Sequence, residues 1–173
     1  MRLPASIVFV VALLACGKIL ANDLDAGIAA MRSKDYPAAV RLLEPLARAG
    51  NAQAQVRMGL LYFHGHGVRE SDNEAKRWFE QAAKQGNAEA QFQLGNMYAY
   101  GLVDMSRDLD IDQQAAQWYF QAARQGHPDA QYSLGILFLT GKGVVQSRDE
   151  ALKWIRRAAD QGHADAGAYV RGH

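Results

Sequence analysis

The feature that most constrains this chain is a repeated unit of about 36 residues. It is clearest between residues 51 and 86, and each copy ends at a glycine: Gly50, Gly86, Gly126 and Gly162, a spacing of 36, 40 and 36. Self-similarity at a period of this length is typical of solenoids, in which each unit buries its apolar face by stacking on its neighbours. The repeat therefore predicts a stack of similar units.

The second copy is longer than the others, and its extra residues fall in one place. The turn glycine and the following tryptophan are Gly65 and Trp78 in the first copy, Gly101 and Trp118 in the second, and Gly141 and Trp154 in the third. Only the second pair is more widely spaced, by a four-residue insertion between its two members. Because an insertion confined to a loop leaves the flanking helices in register, both helices of the second copy should keep their places.

Each copy reads as two amphipathic helices, A and B, joined by a glycine-containing turn. Helix A carries an interior glycine, which is Gly59, Gly95 or Gly135. A glycine inside a helix costs roughly 1 kcal/mol relative to alanine, so its recurrence predicts that the partner helix crosses too closely for a side chain. Large residues around it are expected in the core: Met58 and Tyr62, Leu94 and Tyr98, Leu134 and Phe138.

Helix B has recognisable start and stop signals. Capping boxes, in which a Ser side chain and an acidic residue three positions later satisfy each other's backbone N–H groups, are predicted at Ser71 with Glu74 and Ser147 with Glu150, and Asp110 with Gln113 is a variant. The glycine that ends each copy is expected in the left-handed conformation. The residues that follow it are expected to be polar helix starts: Asn87, His127 and His163.

These signals divide the chain into an N-terminal segment and a row of helix pairs. Residues 22–50 are predicted to form a degenerate helix pair, 51–86, 87–126 and 127–162 three full repeats, and 163–173 a partial C-terminal repeat. The predicted fold is all-α.

Residues 1–21 have the layout of an export signal. Met1-Arg2 is a short positive end, and the apolar run that follows has about 13 residues, fewer than the roughly 20 that span a membrane. Cleavage after Ala21 would release a soluble protein, whereas residues 13–16 resemble a lipoprotein signal that would place a lipid on Cys16. We expect a periplasmic or secreted bacterial protein, with an outer-membrane lipoprotein as the alternative.

Composition narrows the range of partners. Removing residues 1–21 takes Arg2 and Lys18 away and leaves 17 basic against 18 acidic residues, a net charge of −1. This balance does not point to nucleic acid or to an anionic membrane, so membrane contact is expected only if Cys16 is lipidated. Cys16 is the only cysteine, and the mature domain would therefore have no disulfide.

The residue pattern resembles the Sel-one-like repeat family, relatives of the tetratricopeptide repeats. In the first full copy the match consists of Ala52, Ala54-Gln55, Met58-Gly59, Tyr62, Gly65, Gly67-Val68, Ala75, Trp78-Phe79, Ala82-Ala83 and Gln85-Gly86. The resemblance implies a right-handed α-solenoid of antiparallel helix hairpins that acts as a protein–protein interaction scaffold or adaptor, here in the cell envelope. A cysteine-rich subgroup is linked to β-lactams, so an envelope enzyme of the β-lactam or cell-wall-interacting type is one alternative, and a lipid-anchored assembly factor is another.

No catalytic, cofactor or metal site is predicted. No nucleophile stands beside a histidine and an acid, and the glycine-rich turns lack the Lys-Ser/Thr of a phosphate-binding loop. His64 and His66 are close together on a turn, but a metal site normally needs a third or fourth protein ligand. We interpret them as exposed turn residues.

Specificity is expected at positions that differ between copies while the scaffold stays the same. On helix A such positions lie three and four residues apart, and therefore on one stripe, which in tetratricopeptide-like superhelices lines the concave face. The predicted groove for a protein or peptide partner comprises Arg57, Leu60, His64, Gln93, Asn96, Tyr100, Ser133, Ile136 and Thr140. Leu60 and Ile136 have a second interpretation, in which they pack in the core between repeats.

Overall fold

A computed structural model of the chain describes residues 23–103 and 110–172, which are helices and turns without a strand. The helices are α1 (23–32), α2 (Tyr36–Arg48), α3 (Ala52–His64), α4 (Asp72–Lys84), α5 (Ala88–Ala99), α6 (Ile111–Arg124), α7 (Pro128–Thr140), α8 (Arg148–Asp160) and α9 (Ala164–Gly172). Helices α3, α5 and α7 are the A helices of the three full copies, and α4, α6 and α8 are their B helices. The predicted signal and Cys16 lie outside the described residues.

Helices that follow one another in the chain pack against one another. From α2 to α9, every extensive helix–helix contact joins a helix to the one before or after it. Contact of each repeat with its sequence neighbours is typical of a solenoid. The predicted all-α solenoid of antiparallel hairpins is confirmed.

The interior glycines mark the places where the two helices of a hairpin approach most closely. A Cβ atom added to Gly95 would lie 2.5 Å from the Tyr119 ring, and one added to Gly59 would lie 2.5 Å from the Phe79 ring. Gly135 meets Ile155 at the same distance. The predicted close crossing is confirmed, because the space that a side chain would need is already filled by the partner helix.

The glycines that end the copies connect helix B to the next helix A. Gly86 has a φ of 85°, its N–H donates to the Ala83 carbonyl (2.9 Å), and the Asn87 N–H donates to the Ala82 carbonyl (3.1 Å). Asn87 Oδ1 then accepts the Ala90 N–H at 3.0 Å and caps α5. The same arrangement recurs after Gly50, Gly126 and Gly162. Consecutive hairpins are therefore joined by one residue that ends a helix and a second that starts the next.

The turns between helices A and B contain glycines for two different reasons. Gly65 and Gly67 both have positive φ, 64° and 74°, a conformation that favours glycine. In addition, a Cβ on Gly67 would lie 2.8 Å from the Tyr36 carbonyl oxygen, in the preceding helix B. In the second copy the corresponding residue is Val103, which is buried; the four-residue insertion lies mostly in residues 104–109, outside the described ranges.

Only half of each predicted capping box forms. Ser71 Oγ accepts the Glu74 N–H at 3.2 Å, as predicted. The Ser71 N–H, however, donates to the Tyr62 carbonyl at 3.0 Å, and the Glu74 carboxylate instead pairs with Arg77. At Ser147 the N–H likewise donates to the Phe138 carbonyl, and the Glu150 carboxylate pairs with Lys153. In both copies a carbonyl at the end of helix A lies close enough to accept the N–H that the acidic side chain would otherwise accept.

The core lies between the stacked hairpins. Met58, Leu94 and Leu134 are fully buried as predicted, and Tyr98 is buried beside them. Tyr62 and Phe138 are only half-buried, since they lie in the last turn of their helices, at the edge of the clusters they contact. At the C-terminal end, α9 packs on α8 and buries Ala166 against Ile155 and Ala158.

Candidate functional site

The predicted groove residues occupy three parallel helices. Arg57, Leu60 and His64 lie on α3, Gln93 and Asn96 on α5 with Tyr100 as its C-cap, and Ser133, Ile136 and Thr140 on α7. His64, Tyr100 and Thr140 are exposed, and the other six are half-buried. The stripe is therefore accessible mainly at the C-terminal ends of the A helices.

Four of the nine residues line one cleft. Tyr100, Ser133, Ile136 and Thr140 meet around a cleft of about 360 Å³ between α5, α6 and α7, which we call the tyrosine cleft. Its remaining walls are Ala99, Asp112, Ala115, Tyr119, Tyr132, Leu137 and Lys142. Tyrosine rings and aliphatic side chains make the lining largely apolar, with one acidic and one basic residue. A cleft of this size and composition can accept one large side chain of a partner.

Asn96 supports the cleft from behind. The Tyr119 hydroxyl donates to Asn96 Oδ1 at 2.8 Å and so joins α6 to α5. Burial raises the pKa of the Tyr119 phenol well above its ordinary value, so at neutral pH the phenol stays protonated and remains a donor. Asn96 is therefore a positioning residue for the tyrosine ring, although the sequence suggested a direct contact with a partner.

The α3 residues do not line the tyrosine cleft. Leu60 packs against the buried cluster between repeats, whereas Ile136, in the same register, lines the cleft. The two interpretations of this pair thus apply to different members: Leu60 lies at the core and Ile136 lies at the accessible stripe.

The N-terminal half of the groove is polar. Arg57 Nε is buried and has no hydrogen-bond partner among the described residues. Gln93 Nε2 donates to Glu89 Oε1 at 2.7 Å. The pKa of the Glu89 carboxyl is lowered, chiefly by its hydrogen bond with His127 and also by the bond from Gln93 and the charge of Arg57. The groove therefore changes from charged near Glu89 to aromatic near Tyr100.

The two histidines of the first turn are held by ring contacts. His66 stacks on Tyr36 with ring centroids 4.2 Å apart, and His64 lies 5.4 Å from His66. Nowhere in residues 23–103 and 110–172 do three His, Cys, Asp or Glu side chains gather where they could hold a metal ion. Of the pair, His64 is exposed and His66 is half-buried.

Sequence reasoning missed a role for the repeated glutamines. Gln91 is buried; its Nε2 donates to the Ala83 carbonyl (3.4 Å), and its Oε1 accepts from Gln125 Nε2 (2.7 Å). The same pair of bonds connects Gln55 with Gln85 and Gln131 with Gln161. Recurrence at the same place in every copy was the available signal, because an amide that is buried in every copy needs a partner in every copy.

The histidine helix starts also connect neighbouring repeats. His127 Nδ1 accepts the Ala130 N–H at 3.4 Å, while Nε2 lies 3.1 Å from Glu89 Oε2 and the ring stacks on Phe92. His163 repeats this arrangement with Asp129 and Tyr132. A polar start to the helix was predicted and is confirmed; the bond to the preceding repeat was not predicted.

Comparison with known proteins supports the class that this architecture defines, a solenoid of helical hairpins. Four stretches match the family model of the Sel1 repeat: residues 25–51, 52–87, 88–127 and 128–163. This chain belongs to the Sel1 repeat family, whose members are typically protein-interaction scaffolds without catalytic activity.

Solved structures agree with this assignment. A Sel1 repeat protein from Oxalobacter formigenes is 36% identical, with a TM-score of 0.75; the match covers 83% of this chain and 56% of that protein, so this chain spans little more than half its length. Cysteine-rich protein B of Helicobacter pylori is 20% identical over 84% of this chain and 96% of its own, with a TM-score of 0.54, and shares the fold. No curated protein matches this chain.

Proposed function

We propose that this protein is an exported scaffold that binds a protein or peptide partner in the bacterial cell envelope through the helix-A groove. The tyrosine cleft carries the proposal, because it combines four variable groove residues with an apolar lining large enough for one side chain. Tyr100 stands at this cleft with 74% of its surface exposed, and tyrosine is enriched at protein–protein interfaces. The layout of residues 1–21 supports export.

Site-specific photocrosslinking in the expressing bacterium tests the groove. A photoreactive phenylalanine analogue at Tyr100 or Thr140 should crosslink to a discrete partner, identified by mass spectrometry. The same analogue at Arg69, an exposed turn residue outside the nine, is the matched control. A second variant, Ile136→Asp, should abolish the crosslink from Tyr100 while circular dichroism and thermal melting stay unchanged.

Equal crosslinking from Tyr100 and Arg69, or persistence of the crosslink in folded Ile136→Asp, would contradict the groove. Ile136 is preferable to Leu60 for this test, because Leu60 contacts the buried cluster and its replacement by aspartate would disturb the fold.

The proposed location has its own test. Cell fractionation and the intact mass of the processed protein distinguish a soluble periplasmic chain that starts at Asn22 from a lipoprotein that starts at an acylated Cys16. A protein that retains residues 1–21 in the cytoplasm would contradict export altogether.

The proposed role is not catalytic. Among the described residues no hydrogen bond joins a serine side chain to a histidine, and Ser71 and Ser147 are accounted for as helix caps. Incubation with a chromogenic β-lactam should give no turnover. Turnover that disappears on changing Ser133 or Lys142 of the tyrosine cleft would favour the envelope-enzyme alternative.

A further inference from the structure

The outward surface of helix α6 differs from the surfaces of α4 and α8 at equivalent positions. The residue before the tryptophan is Arg77 in α4 and Lys153 in α8, but Gln117 in α6. Both charged helices form ion pairs along their surfaces, Arg77 with Glu74 and Lys153 with Glu150. No ion pair between described residues involves α6. One B helix of three therefore has an outward surface on which a partner would break no ion pair between described residues.

At the centre of this surface stands Phe120, where α4 has Glu80 and α8 has Arg156. The Phe120 side chain is 41% exposed. A large apolar side chain thus stays partly exposed in a register where the other two copies carry charge.

Phe120 separates two clefts of different chemistry. The first, of about 350 Å³, is apolar, with walls formed by Ala116, Leu134, Phe138 and Val144 and a rim of Gln113 and Gln117. The second, of about 330 Å³, is polar and is lined by Gln91, Gln121, Arg124 and Gln125. One ring thus lies between a site for an apolar side chain and a site for a polar or anionic group.

The surface is also positively charged at one end. Arg124 lies over the Phe120 ring at 5.9 Å, Phe120 meets the Trp154 ring edge-on at 6.0 Å, and Arg157 lies over Trp154 at 4.7 Å. Both guanidinium groups are exposed, and neither forms an ion pair with a described residue. A guanidinium within about 6 Å of a ring is attracted to its face, and its five N–H donors can still pair with a carboxylate.

We propose that this surface, the Phe120 face (Gln117, Phe120, Arg124 and Arg157, in contact with the buried Trp154 ring), binds a peptide segment of a partner protein in which an acidic side chain stands beside a large apolar one. The apolar side chain would enter the cleft between Phe120 and Phe138, and the carboxylate would pair with Arg124. We infer an acidic partner from charge complementarity. The face has two cations, Arg124 and Arg157, that form no ion pair with a described residue, and it contains no acidic residue. The protein would then hold this second partner independently of the helix-A groove.

Peptide selection tests the proposal without knowledge of the natural partner. A random dodecapeptide library displayed on phage is selected on the purified protein and counter-selected on the double variant Phe120→Glu, Arg124→Asp. Both replacements occur naturally at these positions in other copies, as Glu80 and Asp160, so the repeat is expected to tolerate them. Enriched peptides should share an Asp or Glu next to, or nearly next to, a Leu, Met or Phe.

Affinity measurements on a synthetic peptide of the selected sequence then assign the contacts. By fluorescence anisotropy, Arg124→Asp should weaken binding about tenfold or more, the expected effect of losing a charged hydrogen-bonded pair. Lys84→Asp makes the same charge change at the equivalent position of α4 and should leave binding unchanged. A peptide with lysine in place of its acidic residue should lose binding to the unaltered protein, which keeps the test valid if a variant misfolds.

Three results of the peptide experiments would overturn the proposal: peptides without an acidic residue, peptides held equally by the double variant, or binding that is lost in Ile136→Asp but not in Arg124→Asp. Binding of the protein to phosphatidylglycerol vesicles, lost in Arg124→Asp, without any selected peptide would also overturn it and would indicate a lipid surface instead. Because the crosslinks from Tyr100 report on the groove alone, failure here leaves the proposed groove untouched.

Discussion

The junction between the first and second full repeats differs from the two junctions that follow it. At the first, Asn87 caps α5, and no hydrogen bond between described residues joins it to Gln53 of the preceding helix A. At the second, His127 caps α7, bonds to Glu89 and stacks on Phe92. At the third, His163 makes the same contacts with Asp129 and Tyr132. We call this arrangement, a capping histidine that bonds to an acid and stacks on a ring of the preceding helix A, the histidine clamp.

The comparison separates what every junction requires from what only some junctions have. All three have the left-handed glycine and the capping side chain. The buried glutamine occurs at the first two, as Gln91 and Gln131, whereas Gly167 takes its place at the third. The histidine clamp is added where an acid, an aromatic ring and a histidine occur together: Glu89, Phe92 and His127, or Asp129, Tyr132 and His163. The first junction has Gln53, Val56 and Asn87 at these places. We infer that the common elements set the fold and that the clamp tunes the strength of individual junctions.

The largest loss of stability is expected from filling the helix crossing inside a hairpin, which every full repeat has whether or not a clamp follows it. Gly95→Val would place a side chain against the Tyr119 ring, 2.5 Å away, and should destabilise the protein by about 2–3 kcal/mol. Gly59→Val should cost a similar amount, although the repeat that contains it ends at the junction without a clamp. Urea unfolding measures both, with Ala99→Val, an exposed position on α5, as the control. An unchanged midpoint for Gly95→Val would contradict the close crossing.

The second largest loss of stability is expected from breaking a glutamine pair. Gln91→Leu leaves the Ala83 carbonyl and the Gln125 amide without their partner and should cost about 1–3 kcal/mol. Gln131→Leu, at the clamped His127 junction, should cost about as much, since the glutamine bonds occur at clamped and unclamped junctions alike. Gln53→Leu, at an exposed position on α3, is the control. A loss confined to Gln131 would show that the glutamine pair depends on the clamp.

A smaller loss of stability is expected when the clamp of the second junction is removed, so that this junction resembles the first. His127→Asn keeps a helix cap but removes the Glu89 bond and the stacking on Phe92, at a cost of about 0.5–1 kcal/mol at pH 7. The pKa of Glu89 is lowered from 4.5 in the folded protein, so its stabilisation is present above that value and is lost as the pH falls through the lowered pKa.

The pH dependence provides the check on this variant. Unfolding free energies measured between pH 7 and about 3 should fall less steeply in His127→Asn than in the unaltered protein, because less carboxylate stabilisation remains to be lost. Asn87→Ala removes a cap without a clamp and should leave the slope unchanged. Parallel curves for His127→Asn and the unaltered protein would show that the clamp contributes nothing.

The smallest expected effect is a difference in coupling energy between the two histidine clamps. Asp129 is more exposed than Glu89, 53% against 40% of the side chain, and only Glu89 also accepts a bond from Gln93. Double-mutant cycles should therefore give a coupling of about 0.5–1 kcal/mol for His127 with Glu89 and less for His163 with Asp129. The reverse order would mean that exposure does not govern these pairs.

Much of the fold could be predicted because the same local sequence signals recur in each full repeat. Gly95 and Gly86 are local signals, one for a close crossing and one for a helix end, and recurrence at the same register removes the ambiguity that a single copy would have. The capping serines were also local, but their backbone N–H groups found partners in helix A that no local pattern specifies.

The candidate site was less predictable, since its residues are defined by their neighbours. Leu60 and Ile136 share a register and are both aliphatic, yet Leu60 packs on the core and Ile136 lines a cleft. Asn96 was placed on the stripe correctly, but its bond to Tyr119 joins two different helices. A variable position indicates where specificity can lie, but not which surface the side chain contacts.

The sequence by itself determined the repeat, the helices, their ends and the places where two helices must touch. These depend on backbone conformation and short-range spacing, which recur in every full copy. Only the tertiary structure decided that Gln91 pairs with Gln125, that His127 reaches Glu89, and that Phe120 separates two clefts. Such contacts depend on how one hairpin is placed on the next, and that placement results from packing across the whole stack.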